Sequence, residues 1–363
     1  MDTALNFPTL SPVVLAKDST VLRDFPLAKG RRSAKYEDAF DRHTLIYDVF
    51  RFDEHHICCI CPRLLNLKAA FIKSLQVNGT SATIRRHKKS LRYEMFIVKC
   101  SKQQSLSVNF LGQITQIEVQ QQADTFDGMN VAMTMVKDTP PEWIVDWAKY
   151  HVSAHGLEGL LLFDNGSTEY EPISLGKRLR DESGLKAVSI VSAPFRYGGR
   201  AGGKFVAPAM YLQVSLMHIA RHRFLNASKA VLSLDIDELV APLKGKTIFE
   251  AAMTSRFGFA HIAGQWVYPV TNGDSQPHKS HAGTNPNDKP CAPKWCMARG
   301  GLADRFDWAV HRPAGPLYAF SKECGKFWHF RATSKSWFGD RSSVPSTVVP
   351  NRALEEALEV YLP

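Results

Sequence analysis

Ala230-Val231-Leu232-Ser233-Leu234 is a nearly continuous apolar run that stops abruptly at Asp235-Ile236-Asp237-Glu238. A strand with one face in water alternates apolar and polar residues, whereas a run that is apolar on both sides must be covered on both sides. The run therefore reads as a strand of a parallel sheet layered by helices, with carboxylates gathered at its carboxyl end. Val131 to Val136 and Leu160-Leu161-Leu162-Phe163 repeat the pattern, and the latter also runs into an acid, Asp164, followed by Asn165-Gly166-Ser167.

Helical segments separate these runs. Thr139-Pro140-Pro141-Glu142 supplies an N-cap, prolines suited to a first turn and a capping-box glutamate. Trp143, Trp147, Tyr150 and His151 or Ala154 share one face of the helix that should follow, and Gly156 is placed to end it. A second helix is expected over Pro208 to Leu225, with Met210, Val214, Met217, Ala220 and Phe224 along one stripe. Arg221, His222 and Arg223 would face the negative end of its dipole.

Ahead of Gly128 the texture changes. Short β-prone stretches recur at Thr44 to Phe50, Ile57 to Cys61, Glu94 to Lys99 and Gln113 to Gln120, with polar or Gly-containing turns between them. For 363 residues, at about 150 per domain, two domains are the natural count. The sequence predicts an antiparallel β-rich domain over 1–127, with 1–30 a loosely structured lead-in containing Pro8, Pro12 and Pro26, and an α/β domain over 128–363.

Composition narrows the class. Hydrophobic residues at 44% and charged residues at 22% exclude a disordered, collagen-like or coiled-coil chain. The net charge of +10 favours anionic partners such as phosphorylated donors, acidic glycans, lipid head groups or nucleic acid. No basic segment followed by an apolar stretch opens the chain, and no apolar run approaches the roughly 18 residues of a membrane span. Seven scattered cysteines, an odd number, suit free thiols in a reducing compartment. A cytoplasmic location is expected, with membrane contact no more than peripheral.

If the strand continues through Asp237, Asp235 and Asp237 point the same way, as residues two apart on a strand do. Two carboxylates at the end of a parallel strand suit a hard divalent cation, which would neutralise a bound diphosphate. A solvated acidic turn capping the strand fits the same residues.

The order of motifs adds a further reading. Trp143, Tyr150-His151 and Gly156, then Phe163-Asp164-Asn165-Gly166-Ser167, Gln213 and Leu234-Asp235-Ile236-Asp237-Glu238-Leu239 resemble the glycosyltransferases of the family 92 type and their bacterial family-2-like relatives. Lys294-Trp295 with Val310-His311, and His329-Phe330 with Lys335-Ser336-Trp337-Phe338, resemble later pieces of that pattern, so the likeness spans about residues 131 to 338. Asp138 departs from the Asn-Glu that usually follows the first strand. The resemblance implies a Rossmann-like GT-A fold and a nucleotide-sugar donor, expected to be UDP-linked. It further implies an inverting sugar transfer to a glycan or lipid-linked acceptor in surface polysaccharide assembly. By position it assigns Asp164 to the base or ribose, Asp235 to the ribose or metal, Asp237 and His329 to the metal, and Lys294 to the donor side. Mn²⁺ accepts a mixed oxygen and imidazole shell more readily than Mg²⁺. His329, between Trp328 and Phe330, also fits a packed core histidine.

Inverting transfer needs a carboxylate to take the acceptor proton. Asp304 and Asp307, after Gly300-Gly301, and Asp274, after Asn272-Gly273, are the candidates. Gly198-Gly199-Arg200-Ala201-Gly202-Gly203-Lys204 lacks the Gly-Lys-Ser/Thr ending of a phosphate loop and reads as an active-site loop, with Arg200 and Lys204 near the donor phosphates. Cys58-Cys59, Cys61, Cys291 and Cys296, even beside His278 and His281, lack paired zinc spacing. Arg85-Arg86-His87-Lys88-Lys89 with Arg92 is a solvated face or a surface for an acidic glycan or anionic membrane, and without aromatic stacking partners it does not suggest nucleic acid. Two other functions stay open: a haloacid-dehalogenase-like phosphohydrolase, whose strand-plus-Asp-x-Asp start Leu232 to Asp237 also matches, and a non-catalytic glycan-binding protein.

Overall fold

The computed structural model describes residues 3–199, 210–273, 276–313, 315–333 and 344–362. They group into two compact units, Met1–Pro8 with Thr125–Val191 and Leu225–Pro363, and Thr9–Asp124 with Ser192–Phe224. This differs from a single cut at 127/128 in two places. Ala4–Asn6, inside the expected lead-in, is a strand paired in parallel with Ala187 to Ser189 of the α/β unit. The helix Tyr211–Ile219 packs against the strands His56–Pro62 and Tyr93–Lys99 of the β-rich unit, where His218 stacks on Tyr93 with ring centres 4.0 Å apart.

Among the described residues the α/β unit is built on an 11-stranded sheet. Its central strands lie in the order Ala187–Ser192, Gly159–Asp164, Asn130–Val136, Ala230–Ser233. Asn130–Val136 pairs in parallel with both of its neighbours, Gly159–Asp164 and Ala230–Ser233. In chain order these strands read third, second, first, fourth, so the winding direction reverses beside Asn130–Val136. At such a switch point successive connections leave in opposite directions and open a crevice at the carboxyl ends. Val131, Leu160, Leu162, Val231 and Leu232 are fully buried, as runs apolar on both faces require.

Past Ala230–Ser233 the sheet turns antiparallel. Cys291–Ala298 pairs with it, Phe259–Pro269 comes next, and Glu323–Phe330 runs parallel to Phe259–Pro269 while carrying the short strand Glu238–Val240 antiparallel on its other side. Gly264 makes this crowding possible: a Cβ there would meet the Cys291 sulfur at 2.3 Å and the Phe327 ring at 2.6 Å.

The helix after the first strand spans Pro141–His155 and ends at Gly156 with φ 67°, the left-handed conformation that glycine adopts without strain. Its expected capping box does not form. Pro140 is the N-cap and no side chain caps the first turn. The second helix is also shorter than expected, Tyr211–Ile219 followed by one π turn over Ala220–Phe224. Arg223 there points to Asp48 Oδ2 at 2.9 Å and the Thr9 carbonyl at 2.8 Å, a buried ion pair.

The second unit holds two four-stranded antiparallel sheets around a core that includes Leu45, Ile57, Phe71, Phe96 and Leu106. All seven cysteines are free thiols. Among the described residues no helix is long and apolar enough to cross a membrane.

Candidate metal and donor site

The strand Ala230–Ser233 stops before the acids, which corrects the expectation that it continues through Asp237. Asp235 to Glu238 form a turn closed by the Glu238 amide donating to the Asp235 carbonyl at 3.1 Å. Leu234 and Ile236 are buried and anchor that turn in the core. Two further donors fix it. The Trp147 indole N–H donates to the Asp235 carbonyl at 3.1 Å and the Glu238 carbonyl at 2.8 Å, and His278 Nε2 bonds the Ile236 carbonyl at 2.8 Å.

Strand register then brings in the histidine. Glu238 and His329 are direct partners across the antiparallel pair, and the Phe330 amide donates to the Asp237 carbonyl at 2.8 Å. His329 Nε2 lies 3.3 Å from Asp237 Oδ2 and its Nδ1 3.6 Å from Glu238 Oε1. The Trp266 ring lies under the imidazole, with centres 4.2 Å apart. Asp237, Glu238 and His329 can each offer one ligand atom, all within 4.8 Å of one another.

Lys294 enters from the antiparallel strand Cys291–Ala298. Its side chain is 2% exposed, and its ammonium lies 2.5 Å from Asp235 Oδ2 and 2.8 Å from Glu238 Oε2. Burial opposes its charge, but the two carboxylates override that and hold its pKa above the ordinary lysine value. Burial pushes Glu238 up to about 7 against the pull of Lys294. Burial also works against a charged His329, yet the Asp237 carboxylate outweighs it and raises the imidazole to about 10. Lys294 is thus the lasting cation among three carboxylates, and His329 would release its proton on becoming a ligand, so the cluster would then suit a divalent cation.

The remaining expected residues fall elsewhere. Asp164 sits at the carboxyl end of Gly159–Asp164, where its Oδ2 accepts the amides of Gly166 and Ser167, both at 3.1 Å, and holds its own turn. Asp304 is not brought to the cluster. It lies after Ala298, which pairs with Ala230 at the amino end of Ala230–Ser233, and it is bound by Arg299, the Gly300 amide and the Trp308 indole. As a candidate base it is therefore displaced by the length of that strand, because Cys291–Ala298 runs antiparallel and carries the residues after Ala298 away from the acids. Asp307 lies in the irregular segment between that turn and the buried Trp308. Arg200, Lys204, Asp274 and Lys335 to Phe338 lie outside the described residues.

The sequence reading missed Glu238 as a ligand candidate, Trp266 beneath His329, and Trp147 and His278 as the pins of the acidic turn. Glu238 alone had a signal, since it sits inside the Asp-x-Asp-Glu run.

No family model matches the chain, and no curated protein matches it either. Among solved structures it is similar to TarS 1–349 from S. aureus at 11% identity and TM-score 0.29, the overlap covering 52% of each chain. An active-site mutant of LgtC overlaps at 17% identity and TM-score 0.27 over 49% of this chain and 60% of that one. A nucleoside-diphosphate-sugar pyrophosphorylase from Vibrio cholerae RC9 gives 11% identity and TM-score 0.22 over 63% of this chain and 99% of its own. The chain thus spans about half the length of TarS 1–349. At TM-scores this low none of the three bears on the chemistry.

Proposed function

We propose that the chain is a divalent-metal-dependent glycosyltransferase of GT-A type that uses a nucleotide-sugar donor. The observation that carries this reading is the mixed carboxylate and imidazole cluster of Asp237, Glu238 and His329. It lies beyond the carboxyl end of Ala230–Ser233, on one side of the switch point where open α/β sheets bind nucleotides. Asp237 and His329 would hold the ion, Mn²⁺ or Mg²⁺, with Glu238 as a third ligand or as the group that fixes His329. A bound divalent ion offsets the charge of a diphosphate and of the departing nucleoside diphosphate. Asp235, whose side chain is 37% exposed although Lys294 holds one of its oxygens, is available to a ribose hydroxyl. Lys294 then acts on the donor side by holding Asp235 in position, without touching the donor. Sugar transfer rather than simple hydrolysis, an inverting outcome and a glycan or lipid-linked acceptor rest on the family resemblance.

Calorimetric titration of a panel of nucleoside diphosphates, with and without Mn²⁺, tests the reading. UDP binding that requires the metal, and that Asp237→Asn and His329→Gln abolish without lowering the melting temperature, is the expected result. Phosphomonoester hydrolysis with no metal-dependent nucleotide binding would overturn it in favour of a phosphohydrolase.

A further inference from the structure

The hairpin of Ile84–Lys89 and Tyr93–Lys99 belongs to the second unit, whereas the residues of the site proposed above belong to the first. Ile84–Lys89 is an edge strand, paired with Tyr93–Lys99 on one side and ending the sheet on the other. From 84 to 93 the chain contains Arg85, Arg86, Lys88, Lys89 and Arg92 and no carboxylate. The register shifts between Ile84 and Arg86, so Arg85 is the extra residue of a bulge and both arginines face solvent instead of alternating sides. The nearest acid on the partner strand, Glu94, is buried and already taken by His87 at 2.7 Å, Arg63 at 3.4 Å and the Leu64 amide at 3.2 Å.

Charged edge strands commonly serve only to prevent edge-to-edge pairing. That role does not account for the tip, where Leu91 is 63% exposed between Lys89 and Arg92. The tip is a built turn. Arg63 Nη1 donates to the Ser90 carbonyl at 3.0 Å and the Leu91 carbonyl at 3.3 Å, and the Ser90 amide bonds the Tyr93 carbonyl at 3.0 Å. An apolar side chain held outward at the tip of an exposed strand that carries Arg85, Arg86 and Lys89 matches a surface that is anionic outside and apolar just beneath. Nucleic-acid bases are recognised mainly by stacking on aromatic rings, and residues 84 to 92 contain no Phe, Tyr or Trp.

We propose that this hairpin docks the protein on an anionic lipid bilayer, with Leu91 entering the head-group and acyl boundary and Arg85, Arg86 and Lys89 lying against the phosphates. Co-sedimentation of the full chain with phosphatidylcholine vesicles and with vesicles that also contain phosphatidylglycerol tests it. Binding is expected only to the anionic vesicles, and it should weaken as salt shortens the reach of surface charge below about 10 Å. Arg85→Glu with Arg86→Glu and Lys89→Glu should lower partitioning by about tenfold or more. The control Lys177→Glu with Lys244→Glu and Lys246→Glu, the same charge change at exposed positions of the other unit, should leave most binding intact. Leu91→Ser should weaken binding by about fivefold or more while leaving the salt dependence in place. Melting temperatures of all variants should match the parent. Equal binding to neutral vesicles, equal loss in both triple variants, no loss in Leu91→Ser, or binding to heparin or RNA without vesicle binding would each overturn the proposal.

Discussion

Lys294 is the residue on which the acidic turn depends. A lysine that is 2% exposed and surrounded by two carboxylates pays a large desolvation cost that only its partners offset. Lys294→Met would leave Glu238, 1% exposed, with His329 at 3.6 Å in place of the ammonium at 2.8 Å. The expected loss is about 3–5 kcal/mol, read from chemical denaturation, because one half of a buried pair is removed. Adding Glu238→Gln to that variant should recover part of the loss, since the buried carboxylate charge is then gone. A double variant no more stable than the single one would contradict the pairing. The sequence carried no sign of this. Lys294 lies 59 positions from Asp235, and only the antiparallel alignment of Trp295 with Ser233 makes them neighbours.

At the scale of elements, the Pro141–His155 helix does more than cover the sheet. Its apolar face was legible from the spacing of Trp143, Trp147 and Tyr150, which are all buried. The polar edge of that face was not. Trp147, Tyr150, His151 and His155 all bond backbone groups of 235–248, so the helix fixes the acidic turn and the short strand after it. Trp147→Phe removes one ring and the indole N–H, which leaves the Glu238 carbonyl without that donor and the Asp235 carbonyl with the Glu238 amide alone. It should cost about 1–3 kcal/mol, as unsatisfied buried acceptors do. Metal affinity should fall at the same time, because the carbonyls released are those of Asp235 and Glu238. Unchanged metal affinity in that variant would show that the turn holds its shape without the helix.

Across the whole molecule, buried neutral histidines set an acid limit on stability. His155 Nδ1 accepts the Ile248 amide, so Nε2 carries the proton donated to the Val240 carbonyl, and the ring is held in one neutral form. Burial depresses His155 and His278 to about 4, well under the ordinary value of 6.5. Below 6.5 the unfolded chain takes up these protons first, so the stability they contribute is complete above pH 6.5 and is lost as pH falls toward 4. His155→Gln, which can still donate and accept, should flatten the acid limb of a plot of melting temperature against pH. A parallel shift with no change of slope would assign the limb to other groups.

The sequence by itself determined the elements whose physics is local. Runs apolar on both faces could only be covered strands, the repeat of Trp143, Trp147 and Tyr150 could only be a one-faced helix, and Gly156 could end it because glycine accepts positive φ. It also marked Asp237 and His329 as a pair worth testing, through motif order. Everything that depends on register was left to tertiary structure. Facing His329 with Glu238, turning Lys294 onto Asp235, carrying Asp304 to the other end of the strand and moving residues 192–224 into the β-rich unit are all consequences of which strands and helices pair. Pairing is decided by contacts between segments many tens of residues apart, and no window of sequence short enough to show a period contains both partners.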